Sequence, residues 1–175
     1  MWSLDQFPYR VECWKEEACD ALILSRFPLT DIRPNLPEPN FRRPMGAVAV
    51  AIEGRTLTLF PTHLTLPYPL VSTNRQASQI KEVVDTIGTI GGARILAGDF
   101  NASTWGATMT FAREKLQFTA LTGPGGTWPT FLPAQLGIPI DHILASEELA
   151  LLSRQLFTVQ GSDHRAVLAE IAFKE

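Results

Sequence analysis

Residues 93–101 read Ala-Arg-Ile-Leu-Ala-Gly-Asp-Phe-Asn. An apolar run of this kind, broken only by Arg94, suits a strand covered on both faces, as at the centre of a layered α/β fold. The run ends on a carboxylate, Asp99, with the carboxamide of Asn101 two residues on. An ionised carboxylate at the end of a core strand is costly unless a hydrogen-bond network or a cation compensates it. Whatever fold the chain adopts must supply one or the other at that point.

The rest of the chain supplies partners for such a strand. Ala21–Ser25 is a short apolar run closed by Arg26-Phe27-Pro28, read as a strand. Residues 31–45 hold four prolines and no period, which reads as a loop. Residues 47–64 form two β-rich runs on either side of Glu53-Gly54, a hairpin signal. Asn74 can cap a helix whose apolar positions Ile80, Val83, Val84 and Ile87 recur at helical spacing, with Gly91-Gly92 to stop it. A second helix is expected over Thr104–Leu116, a loop over 123–131, and strands over Ile138–Ser146 and Arg165–Phe173. The pattern is α/β in one domain, residues 1–175. Periodicity leaves a β-sandwich with outer helices and a three-layer parallel sheet both open.

A length of 175 residues and a 45% hydrophobic content are enough for a real core. The formal net charge of −3 argues against broad adhesion to nucleic acid, which needs a basic face. Cys13 and Cys19, at a C-x5-C spacing, match no zinc pattern and read as ordinary thiols. The chain contains no apolar run of membrane-spanning length and no signal-peptide pattern, so the default expectation is a cytoplasmic protein.

The polar residues at strand ends carry the chemistry. His63 follows one strand, Asp99 and Asn101 another; Asp141 and His142 lie inside a third, and Asp163 and His164 precede a fourth. All three histidines of the chain belong to this set. Loops beyond strand ends are where layered folds assemble their sites, and aspartates arriving with a histidine suit a divalent metal beside an acid/base pair. Each residue also has a plainer reading. Asp99 could cap the next turn through an Asx bond, Asn101 could cap a helix, His63 could be a core histidine, and Asp163 could cap a turn. His142 faces away from Asp141, because side chains alternate along a strand, and is expected to be structural.

Gly98-Asp99-Phe100-Asn101, Ile140-Asp141-His142-Ile143-Leu144 and Ser162-Asp163-His164-Arg165-Ala166-Val167 resemble, in that order, the signatures of the endonuclease/exonuclease/phosphatase superfamily. Residues 23–29, Pro61–Leu64 and Thr127–Phe131 resemble its supporting strands and its tryptophan loop. The resemblance implies a DNase I-like four-layered α/β sandwich and a phosphodiesterase, phosphatase or nuclease dependent on Mg²⁺ or Mn²⁺. It implies that Asp99 orients the attacking water, Asn101 holds a phosphate oxygen, and His164 contacts the scissile phosphate with Asp141 fixing its ring. It further implies Asp163 and Asp99 at the metal, His63 as general acid, and Arg43, Asn101 and Trp128 against the substrate. Few Lys or Arg cluster, and Arg26 and the Arg42-Arg43 pair are the obvious basic candidates near such a site. The resemblance implies a phosphoester substrate: nucleic acid, phospholipid headgroup or small phosphodiester.

The match has one gap. The family carries an early Gln-Glu pair, whose glutamate binds metal, preceded by an asparagine on its first strand; this sequence shows neither. Glu12, Glu16 and Glu17 do not match the position. The expectation is therefore an N-terminally truncated member, with the alternatives of a catalytically impaired binding module or of a homodimer that completes its own sheet through an exposed edge.

Overall fold

The computed structural model describes residues 4–12, 21–33, 46–68 and 70–175. Cys13, Cys19, Glu16, Glu17, Arg42 and Arg43 lie outside the described residues. Six strands form the main sheet in the order β3-β4-β5-β6-β8-β7. Their ranges are β3 Leu29–Arg33, β4 Ala47–Ile52, β5 Arg55–His63, β6 Ala93–Asp99, β7 Thr119–Ala120 and β8 Asp141–Ala145. β1 (Tyr9–Glu12) pairs antiparallel with β2 (Leu22–Ser25), and β9 (Leu149–Thr158) with β10 (Arg165–Phe173).

β4 and β5 form the hairpin expected at Glu53-Gly54, with φ of 51° and 78° at the two turn residues. Both central residues of a tight I′-type turn need positive φ, which glycine adopts without strain. β5 then runs parallel to β6 through the crossover helix α1 (Leu70–Gly88). α2 (Ala107–Leu116) follows β6. Ile80, Val83, Val84 and Ile87 of α1 and Met109 and Ala112 of α2 cover one face of the sheet, against Phe60, Leu96, Phe100 and Leu144. The opposite face of β5, β6 and β8 packs on the β9–β10 hairpin through Ile95, Ala145, Leu149, Leu151, Ile171 and Phe173. β6 is thus covered on both sides, as its apolar sequence requires.

Several boundaries differ from the sequence reading. Residues 31–33 belong to β3 rather than to a loop, because pairing with β4 overrides the proline-rich context. Asn74 lies in the second turn of α1 rather than at its cap, since Leu70–Thr73 already continue the helix. α1 ends at Gly88, and bonds from the Thr89 and Ile90 N–H groups to Thr86 and Ile87 tighten the exit before Gly91-Gly92. α2 starts three residues after Thr104, because the Gly106 N–H closes a turn onto the Ser103 carbonyl. β8 begins only at Asp141.

Candidate active site

The pairing register of the main sheet sets the site. His63 stands opposite Asp99 across the parallel β5–β6 pair, and Asp99 stands opposite Asp141 across the antiparallel β6–β8 pair. Three titratable side chains therefore share one row at one end of the sheet. His63 Nε2 lies 3.6 Å from Asp99 Oδ2. His164, one residue ahead of β10, brings its Nδ1 to 2.9 Å from Asp141 Oδ2. A carboxylate accepts, so Nδ1 carries the proton in this bond.

Asp99 is held in two ways. Its Oδ1 accepts the Asn101 N–H at 2.7 Å and its Oδ2 accepts the Asn101 amide at 3.1 Å. The first is the Asx bond of the plainer reading, and it coexists with the site geometry. Asn101 does not cap a helix. It sits at φ 46° and spends its second amide hydrogen on the Leu64 carbonyl at 2.9 Å, tying the end of β5 to the end of β6. Burial raises the Asp99 pKa above its ordinary 3.8 and the charge of Asp141 adds to this, against the opposing pull of the Asn101 N–H and of His63 and His164. For His164, burial resists charging, but the Asp141 hydrogen bond and the fields of Asp141, Asp99 and Asp163 raise its pKa above 6.5.

Asp99, Asp141 and His164 each offer a ligand atom within 4.8 Å of the others, so these three could hold a metal ion. Asp163 is exposed and is not in that group; its Oδ2 accepts the Trp128 indole N–H at 3.1 Å. Trp128 is thereby fixed against the loop that carries His164. Arg26 places its guanidinium 5.6 Å from the Phe7 ring. His142 is buried, donates from Nε2 to the Ala102 carbonyl at 2.8 Å, and meets the Phe100 ring edge-on; burial lowers its pKa below 6.5.

Three residues that sequence reasoning did not single out build the frame. Thr127, fully buried, accepts the N–H groups of Ile140 and Asp141 at its Oγ1, both at 3.1 Å, and so sets where β8 begins. Gln76 of α1 donates to the carbonyls of Thr65, Phe100 and Asn101, joining the two site loops to the helix. Arg165 is buried, and its guanidinium donates to the carbonyls of Gly126, Pro129, Thr130 and Leu132. Thr127 and Arg165 fall inside the stretches Thr127–Phe131 and Ser162–Val167 noted in the sequence, but their acceptors and donors are remote; nothing local separates Gln76 from any other glutamine.

Residues 7–164 match the model of the Endonuclease/Exonuclease/phosphatase family. The chain belongs to this family. No curated protein matches it. Solved members of similar fold include an endonuclease/exonuclease/phosphatase from Beutenbergia cavernae, at 20% identity and TM-score 0.66, covering 87% of this chain and 47% of that one. The 3′ phosphatase NExo from Neisseria, bound to a product DNA hairpin, is similar at 21% identity and TM-score 0.64, covering 98% of this chain and 86% of that one. TDP2 of D. rerio, complexed with a single-strand DNA product, is similar at 15% identity and TM-score 0.73, covering 94% and 76%. At these identities the likeness shows the fold, which is DNase I-like α/β. The chain spans about half the length of the Beutenbergia relative. Endonuclease/exonuclease/phosphatase enzymes generally depend on a divalent metal. Among the described residues, no helix is long and apolar enough to cross a membrane.

Proposed function

We propose that this endonuclease/exonuclease/phosphatase chain is a metal-dependent phosphodiester hydrolase. The observation that carries the reading is the row His63–Asp99–Asp141, with His164 hydrogen-bonded to its outer member. The donor set suits a hard divalent cation such as Mg²⁺ or Mn²⁺: two carboxylates, one of them desolvated, with a histidine alongside. Asp99 and Asp141 would hold it; Asp163, engaged by the Trp128 indole, lies outside that group. When bound, such an ion neutralises charge on the non-bridging phosphate oxygens.

The side chains divide the remaining work. Asp99, its pKa raised toward that of a useful base, accepts a proton from the attacking water as oxygen bonds to phosphorus. His164, charged over a wider pH range through Asp141, hydrogen-bonds a phosphate oxygen from Nε2. Asn101 turns its amide from Asp99 to the phosphate as charge develops there. As the ester P–O bond breaks, the leaving alkoxide takes a proton from His63. Trp128, fixed by Asp163, forms a wall for the substrate; Arg43 is a candidate for the same role from the sequence alone.

A second reading has its own support: the described residues that could hold a metal include no glutamate, whereas the family's pattern has one. On that reading the chain is a disarmed binding module. Hydrolysis of bis(p-nitrophenyl) phosphate and of plasmid DNA, with Mg²⁺ or Mn²⁺ against EDTA, decides between the two. Metal-dependent turnover that His164→Ala abolishes supports the hydrolase. Turnover no greater than that of His164→Ala supports the binding module.

A further inference from the structure

Three loops leave the sheet at the row that carries the site. Residues 64–68 follow His63, residues 100–106 follow Asp99, and residues 121–140 lead from β7 into Asp141. In a chain that is 19% charged, these three loops contain no Lys, Arg, Asp, Glu or His. They present large apolar side chains to solvent instead: Phe131 is 82% exposed, Tyr68 80% and Trp105 75%, with Leu66, Leu136 and Ile138 also exposed.

The exposure of Phe131 is built in. The Arg165 guanidinium grips the carbonyls of Thr130 and Leu132 on either side of it. The Thr130 N–H donates to the Asp163 carbonyl at 2.9 Å, and the Thr130 hydroxyl to the Ser162 carbonyl at 3.1 Å. These bonds hold the backbone on both sides of Phe131 in place, and in that conformation its ring stands in solvent. Exposed apolar groups on loops that leave the sheet at one end mark an interaction surface.

The charge pattern selects the occupant. A polyanion is gripped through Lys and Arg on its phosphates, and the three loops offer none. A protein seated across all three loops would cover the strand ends that carry His63, Asp99 and Asp141. A bilayer brings its own phosphoester to those strand ends, and Trp and Tyr suit its interface because their rings are apolar with one polar atom. The lack of Lys and Arg on these three loops further points to a surface bound by apolar insertion rather than by attraction to anionic lipid.

We propose that the rim of the site docks on a lipid bilayer and that the phosphoester it receives is a lipid headgroup. The substrate half of this rests on the hydrolase reading above; the docking half does not.

The test is co-sedimentation of the 175-residue chain with phosphatidylcholine vesicles, with and without phosphatidylglycerol. Hydrolysis of bis(p-nitrophenyl) phosphate is followed separately in solution. The expected result is binding to phosphatidylcholine alone that persists in about 0.5 M NaCl. Phe131→Ser with Leu136→Ser should lower the partition coefficient about tenfold or more, since each residue loses most of its insertion energy. Leu168→Ser, an exposed apolar residue on β10, should leave binding unchanged. Both variants should hydrolyse the soluble diester as the wild type does. Docking is overturned by no binding to phosphatidylcholine, by binding that requires phosphatidylglycerol and disappears in salt, or by an equal loss in Leu168→Ser. Wild-type chain that binds vesicles but leaves the soluble diester intact would overturn the hydrolase reading and the headgroup substrate, while the docking surface stands.

Discussion

Gly98 opens the Gly-Asp-Phe-Asn motif, and its role follows from packing rather than chemistry. It lies opposite Thr62 in the β5–β6 register, at φ +144°. A Cβ placed on it would sit 1.9 Å from the Thr62 carbonyl oxygen and 2.9 Å from the carbonyl carbon. The obstacle is backbone, so no rotamer change relieves it. Gly98→Ala must push β5 and β6 apart by about 1.5 Å to restore ordinary contact. That weakens one or two ladder bonds at about 1 kcal/mol each, adds a φ penalty of about 1–2 kcal/mol, and loosens core packing beside them, for a total of roughly 3–5 kcal/mol. In a chain of this length the loss lowers Tm by about 8–15 °C. Gly54→Ala is the matched control. Its φ is +78°, yet nothing lies within 4 Å of its Cβ, so it carries the conformational penalty alone. That is about 1–2 kcal/mol, or about 2–6 °C. Thermal unfolding of both variants by circular dichroism is the assay. A Gly98→Ala protein that melts no lower than Gly54→Ala would refute the steric argument.

Three further outcomes are expected. Arg165→Met leaves four backbone carbonyls of the 126–132 segment without their donor and should cost roughly 3–5 kcal/mol; limited proteolysis should cut that segment first, and an unchanged cleavage pattern would contradict the clamp. His142, whose pKa is lowered on folding, binds fewer protons in the native than in the unfolded state, so its contribution is fully present above 6.5 and is lost as pH falls below that value. His164 has the opposite sign, its contribution being present below 6.5 and lost as pH rises through its raised folded value. Urea unfolding of His164→Gln from about pH 7.5 to about pH 5 should therefore show stability falling with acid, and His142→Gln in the same background should flatten that slope. Finally, Mg²⁺ at a hundredfold excess over its Kd should stabilise the native chain by about 2.7 kcal/mol. Asp99→Asn with Asp141→Asn should remove the shift, and a shift that survives would place the ion elsewhere.

The sequence by itself determined which segments could be strands and helices and which residues were chemically equipped. The hairpin at Glu53-Gly54, the apolar stripe of α1 and the doubly covered β6 are local patterns, written in period and turn residues. The expectation that Asp99 needs a compensating network was also legible, because the cost of a buried carboxylate does not depend on the fold. β9 was not singled out: Leu149–Thr158 does not alternate cleanly, since one stretch of it packs on the main sheet while Leu152, Gln155 and Phe157 face solvent. Only the tertiary structure decided which strand ends meet. His63, Asp99 and Asp141 are separated by tens of residues, and their common row comes from pairing register, a long-range property that no local pattern encodes. The same holds for the Arg165 clamp, whose acceptors lie 33–39 residues away along the chain. It holds as well for the three uncharged loops, unremarkable one by one, which the sheet register brings to one end.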